Sequence, residues 1–107
     1  MYFWYPIERD RFAGNLKKND KKGYGVIEIK ESNVFFDGIN LEKVAEEYKT
    51  PFFLMSERQL EDNYRNFLQA FSGVKNFQVF YSAKTNFESE VLKTLNRLGS
   101  GAEISGG

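Results

Sequence analysis

Phe77-Gln78-Val79-Phe80-Tyr81-Ser82-Ala83-Lys84-Thr85-Asn86 is the stretch that decides the fold. An apolar run, Phe77 to Tyr81, gives way to a polar turn, and the strand reads as Phe77 to Ala83. A helical pattern follows at once, with Val91, Leu92, Leu95 and Leu98 at helical spacing. Asn86 reads as the cap of that helix and Gly99 as its stop, and Ala102-Glu103-Ile104-Ser105 begins a further strand. Upstream, Phe52-Phe53-Leu54-Met55 is a second apolar run of strand length. Ser56-Glu57-Arg58-Gln59 has the capping-box pattern, and Leu60, Tyr64, Phe67, Leu68 and Phe71 share one face of the helix it opens, which ends near Ser72-Gly73. From residue 52 the order is strand, helix, strand, helix, strand. That order predicts parallel βαβ units with strands covered on both sides.

The first third reads differently. Residues 8–23 are polar and end in Lys17-Lys18-Asn19-Asp20-Lys21-Lys22-Gly23, a run that fits a solvated linker or, less readily, a phosphate-binding patch. Tyr24 to Lys30 ends in a half-buried strand pattern, Ser32-Asn33 marks a turn, Val34-Phe35-Phe36 a second strand, and Asp37-Gly38 another turn. This is part of a small antiparallel β unit. Asn40 then caps a helix carrying Leu41, Val44, Ala45 and Tyr48 on one side, halted by Thr50-Pro51.

Composition narrows the function classes. With 107 residues, 41% hydrophobic and 17% aromatic, the chain can supply the core of one small domain. Fifteen basic and fifteen acidic residues cancel, which removes a general electrostatic pull toward nucleic acid or an anionic membrane. The aromatic start, Met1-Tyr2-Phe3-Trp4-Tyr5-Pro6-Ile7, is short and lacks a preceding basic segment, so neither a signal peptide nor a membrane span is expected. Cysteine and histidine are both absent, which excludes disulfides, thiolate or imidazole metal sites and cysteine nucleophiles within these residues, and fits a reducing cytoplasm. No metal site is expected.

Lys84 is the one nucleophile with supporting context. Ligands in parallel α/β folds sit beyond the carboxyl ends of the strands, and Lys84 falls there. A desolvated amine at the end of a buried strand, facing a cleft, can lose its proton and attack a carbonyl. By position alone, a lysine after a strand reads first as a solvated loop residue. Gly99-Ser100-Gly101 and Ser105-Gly106-Gly107 match no nucleotide-binding fingerprint.

Several motifs in order carry a resemblance. Phe80 to Asn86, then Val91-Leu92 and Leu95, then Leu98-Gly99-Ser100-Gly101-Ala102-Glu103-Ile104-Ser105-Gly106-Gly107 resemble the start of the barrel domain of the pyridoxal-phosphate decarboxylases, the family with an alanine-racemase-like barrel. The nearest subgroup is the diaminopimelate decarboxylases. Asp37-Gly38-Ile39-Asn40-Leu41, Val44-Ala45-Glu46-Glu47-Tyr48, Thr50-Pro51-Phe52-Phe53 and Asn63-Tyr64 are similar to that family's entry helix and first turn. The resemblance implies an α/β fold: the N-terminal part of a parallel (β/α)8 barrel, preceded by short strands of a β domain. Residues 1–23 would be an extension or linker, 24–36 strands of the β domain, and 37–107 the first βα units of the barrel.

It further implies that Lys84 holds pyridoxal phosphate, that Ala83 packs near that cofactor, and that Glu103 stands near the place where the family carries an aspartate close to it. The implied activity is decarboxylation of an amino acid, foremost meso-diaminopimelate to L-lysine and carbon dioxide, in a cytoplasmic homodimer. Alternatives are an ornithine-, arginine- or carboxynorspermidine-type decarboxylase, or a non-catalytic truncated module. Some two barrel strands are present where eight close such a barrel. The chain is therefore expected to be an N-terminal piece of a longer enzyme, inactive by itself.

Overall fold

A computed structural model describes residues 27–105. The expected extension 1–23, the aromatic start, the first residues of the Tyr24–Lys30 pattern and Gly106-Gly107 lie outside the described residues. The chain forms two compact units, Met1–Ser56 and Glu57–Gly107, and residue 37 falls within the first.

In the first unit β1 (Ile27–Lys30), β2 (Asn33–Phe36) and β3 (Ile39–Asn40) form an antiparallel sheet in the order β1-β2-β3. Both hairpins turn through two residues, since Lys30 pairs with Asn33 and Phe36 with Ile39. Such tight loops take positive φ at both central positions, because that twist matches the strands. Asp37 and Gly38 supply it at 49° and 80°, an Asp-Gly pair suited to the task. Glu31 and Ser32 adopt it at 49° and 67° without a glycine, and the Asn33 amide steadies that turn by donating to the Glu31 carbonyl at 3.2 Å. The turn is thus one residue earlier than Ser32-Asn33, and β3 is a strand that the sequence pattern did not disclose.

α1 (Leu41–Glu47) starts directly from β3. Asn40 is the cap as expected: its Oδ1 accepts from the backbone of Glu42 at 2.9 Å and of Lys43 at 3.3 Å. Val44 faces inward and is fully buried, with Phe35 of β2 beside it in the core. Residues paired across strands share a face, so Glu28, opposite Phe35, lies on the core side of the sheet. Ile27 and Ile29 lie on the other side, 65% and 74% exposed. The alternation expected of β1 holds, but its isoleucines point away from the core, because Phe35 fixes which face α1 covers. Phe52–Met55, expected as a strand, makes only an isolated bridge at Phe53. Apolar character favours burial, whereas a strand also needs a backbone partner along its length.

The second unit holds α2 (Glu57–Ala70), β4 (Phe80–Ser82), α3 (Ser89–Arg97) and β5 (Gly101–Glu103). β4 and β5 pair in parallel across α3, a βαβ unit of the expected kind. Tyr64, Val91 and Leu95 form its core. β4 is shorter than the expected Phe77–Ala83 strand. Phe77 instead stacks on Phe71 with ring centroids 4.4 Å apart, and Phe67 lies 5.1 Å from Phe71. The helix stop at Gly99 is confirmed in detail. Gly99, at φ 95°, donates to Asn96, and Ser100 donates to Leu95, both at 3.0 Å. That pair of bonds is the Schellman closure, which satisfies the last carbonyls of α3. Among the described residues no helix is long and apolar enough to cross a membrane.

Candidate active site

The register of the parallel pair sets the geometry. Phe80 lies opposite Gly101, Tyr81 opposite Ala102, and Ser82 opposite Glu103. Both carboxyl ends therefore open on one edge, where parallel α/β sheets gather their ligands. Lys84 stands two residues past the end of β4, Ala83 between, and Glu103 closes β5. The three residues singled out by sequence thus come to the same edge. Lys84 and Glu103 are exposed, and Ala83 is half-buried.

The backbone around Lys84 is held on both sides. The Ala83 N–H donates to the Glu103 carbonyl at 3.0 Å, and the Thr85 N–H to the Ser82 carbonyl at 3.0 Å. The Tyr81 hydroxyl donates to the carbonyl of Asn86 at 3.2 Å. Asn86 Oδ1 accepts from the Glu88 N–H at 3.0 Å. This last bond corrects the expected cap: α3 begins at Ser89 with Glu88 in the cap position, and Asn86 turns the chain two residues earlier. The outcome is an amine free to reach outward from a turn tied at residues 83, 85 and 86.

The amine is not desolvated. Phe80, expected in a buried strand, is 62% exposed, and Lys84 is open to solvent. A parallel strand is buried only when neighbours and helices cover both of its faces. Among the described residues β4 pairs with β5 alone. The structure does contain a cleft of about 420 Å³, lined by Tyr64, Leu68, Val79, Leu98 and Ser100 among others. It borders the starts of β4 and β5, away from Lys84. In βα architectures the amino-terminal side of the strands serves stability and the carboxyl side chemistry, so the cleft is a packing feature.

Two features were not foreseen. One is the Tyr81 hydroxyl, whose partner is a backbone carbonyl that no residue type betrays. The other is Arg97, which bonds Glu57 at 2.6 Å and Glu61 at 2.8 Å and so joins α3 to α2. Arg97, with Arg65 adding to it, holds the Glu61 carboxyl below the ordinary carboxylate range. Among the described residues no group of three or more acidic, histidine or cysteine side chains is gathered around a metal position.

No family model matches the chain. Curated relatives do. The chain is 34% identical over 90 residues to the diaminopimelate decarboxylase of Methanocaldococcus jannaschii, covering 79% of itself and 20% of that protein. It is 35% identical over 79 residues to the diaminopimelate decarboxylase of Methanothermobacter thermautotrophicus, covering 72% of itself and 18% of the relative. Among solved structures, the M. jannaschii diaminopimelate decarboxylase superposes with a TM-score of 0.72 at 32% identity, over 78% of this chain and 20% of that one. A second structure of that enzyme, in complex with L-lysine, gives 0.65 at the same identity over 74% of this chain. The chain spans about a fifth of the length of the relatives it matches. Motif order, sequence identity and backbone path agree, and they make this chain similar to one segment of the diaminopimelate decarboxylases.

Proposed function

We propose that this chain supplies the lysine-bearing βα segment of a pyridoxal-phosphate-dependent carboxy-lyase that converts meso-diaminopimelate to L-lysine and carbon dioxide. The observation that carries the reading is the position of Lys84: a primary amine on a tied turn at the carboxyl edge of a parallel pair, in a segment similar to diaminopimelate decarboxylases. The L-lysine bound in one of the similar structures supports the product.

The residues fit such a cofactor. An accessible amine is what an aldehyde requires, and the turn that bears it is held by main-chain bonds. In this reading Lys84 would hold the cofactor through its aldehyde, Ala83 would pack beside it, and Glu103 would present a carboxylate at the mouth of the neighbouring strand. When bound, pyridoxal phosphate supplies a ring that withdraws the electrons left on the α-carbon as carbon dioxide departs. The Lys84 Nζ would be the group that holds a proton for return to that carbon.

The reading extends to the architecture. Residues 24–36 would contribute to a β domain and residues 37–107 to a (β/α)8 barrel, completed by further strands in a cytoplasmic homodimer. The 107 residues alone would lack turnover, because an eight-stranded barrel is needed to enclose the site. The test uses the full-length polypeptide. Carbon dioxide release from meso-diaminopimelate should depend on added pyridoxal phosphate, and borohydride reduction followed by peptide mapping should find the label on Lys84. Full turnover by Lys84→Ala would reject the assignment. Sedimentation of the same protein checks the dimer.

A further inference from the structure

We infer that Tyr81 is a positioning residue for Lys84, acting through the turn that carries the amine; the inference rests on the function proposed above. Tyr81 is the middle residue of β4, and its register partner is Ala102. Successive strand residues face opposite ways, so Tyr81 leaves the sheet on the side away from Phe80, Ser82 and Glu103. From there its hydroxyl reaches forward five residues and donates to the Asn86 carbonyl at 3.2 Å. The chain between these two points is the turn that carries Lys84.

The other two bonds of the turn hold it at Ala83 and Thr85. Ala83 is fixed to β5 through Glu103, and Thr85 to Ser82. The second spans Lys84 and holds the turn as far as Thr85, and neither reaches Asn86. The Asn86 side chain looks onward, accepting from Glu88 at the entrance to α3. Without the tyrosine, the turn would keep its bonds at Ala83 and Thr85 and lose a direct tie from β4 to Asn86. Tyr81 is half-buried, so its ring is seated and the hydroxyl has a defined aim. A phenylalanine would keep the ring and remove only the bond.

The experiment compares Tyr81→Phe with the wild-type full-length protein by two readouts. The first is amide hydrogen exchange at residues 84–86, with Val91–Leu95 as the folding control. Losing one neutral hydrogen bond should speed exchange in the turn by roughly fivefold and leave the helix unchanged. The second is the rate at which pyridoxal phosphate becomes fixed to Lys84. The amine adds to the aldehyde carbon, water leaves, and borohydride delivers hydride to that carbon. The maximal rate should fall several-fold, while the half-saturating cofactor concentration and the final labelled fraction stay the same. Unchanged exchange at residues 84–86 would overturn the inference, as would faster exchange throughout the unit or a loss confined to the final labelled fraction. Faster local exchange with an unaltered maximal labelling rate would also overturn it. A wild-type protein that takes no label on Lys84 would sink the cofactor reading, while the exchange data still report whether Tyr81 holds the turn.

Discussion

Two glycines two positions apart, Gly99 and Gly101, serve different physical needs, and substitutions separate them. Gly99 sits at φ 95° with open space where a Cβ would project. Gly99→Ala should therefore cost only the left-handed backbone penalty, about 1–2 kcal/mol, seen as a lower urea midpoint with an unchanged slope. Gly101 has no such backbone demand. A Cβ there would meet Phe80 Cδ1 at 2.5 Å, because the Phe80 ring lies over its register partner. Gly101→Ala must push that ring aside at a cost of about 1–3 kcal/mol. In a Phe80→Ala background most of that cost should vanish, and a double-mutant cycle measures the difference. An additive result would show that the ring is not the obstacle. Gly99 could be read from sequence, because an apolar helical pattern ends on it. Gly101 could not, since the lie of the Phe80 ring follows from strand register.

Between elements, the bond most open to test is Arg97 of α3 with Glu61 of α2. The Glu61 side chain is only 19% exposed and also meets Arg65 at 3.2 Å. Its folded carboxyl titrates below the ordinary value of 4.5, chiefly through the hydrogen bond from Arg97. A lowered acid stabilises the fold above the unfolded value and loses that contribution as pH falls through the folded one. Arg97→Met should then raise the Glu61 titration midpoint toward the ordinary range. The stability gap between variant and wild type should be widest near neutrality and close below pH 4.5. Carbon-detected NMR titration and urea melts at several pH values check both, and high salt should narrow the gap because the arginine is more than half exposed. Elements with strong periodicity were legible: α1, α2, α3 and the parallel order of β4 and β5 all follow from spacing and stop signals. The Phe52–Met55 strand and the length of β4 were misread. Apolar runs report a wish for burial, and aromatics such as Phe77 can satisfy it by stacking on Phe71 without pairing backbone.

At the scale of the molecule, each unit has little interior of its own. Phe35 and Val44 are the buried apolar residues described in the first, and Tyr64, Val91 and Leu95 in the second. Units of some fifty residues bury too small a share of their surface to be robust without further packing. What sequence revealed of the candidate site was its edge and its lysine. The environment of that lysine was not legible, because burial of a parallel strand depends on neighbours contributed from elsewhere in a fold. The same shortage leaves apolar side chains in water. Ile27 and Ile29 lie outward on the edge strand β1, and Phe80 and Ile104, the latter 79% exposed, flank the parallel pair. Unpaired strand edges that also carry apolar side chains invite association. The purified 107-residue chain should accordingly bind an apolar fluorescent dye and sediment with a concentration-dependent mass. Replacing both isoleucines with lysine, Ile27→Lys with Ile29→Lys, adds charge to an edge strand without touching Phe35 or Val44. That double variant should keep its circular dichroism while losing part of the dye binding and the self-association. If dye and mass were unmoved while the spectrum held, the β1 face would not be the surface that draws the chains together, and the other exposed apolar side chains, Phe53, Phe80, Phe87 and Ile104 among them, would answer for it.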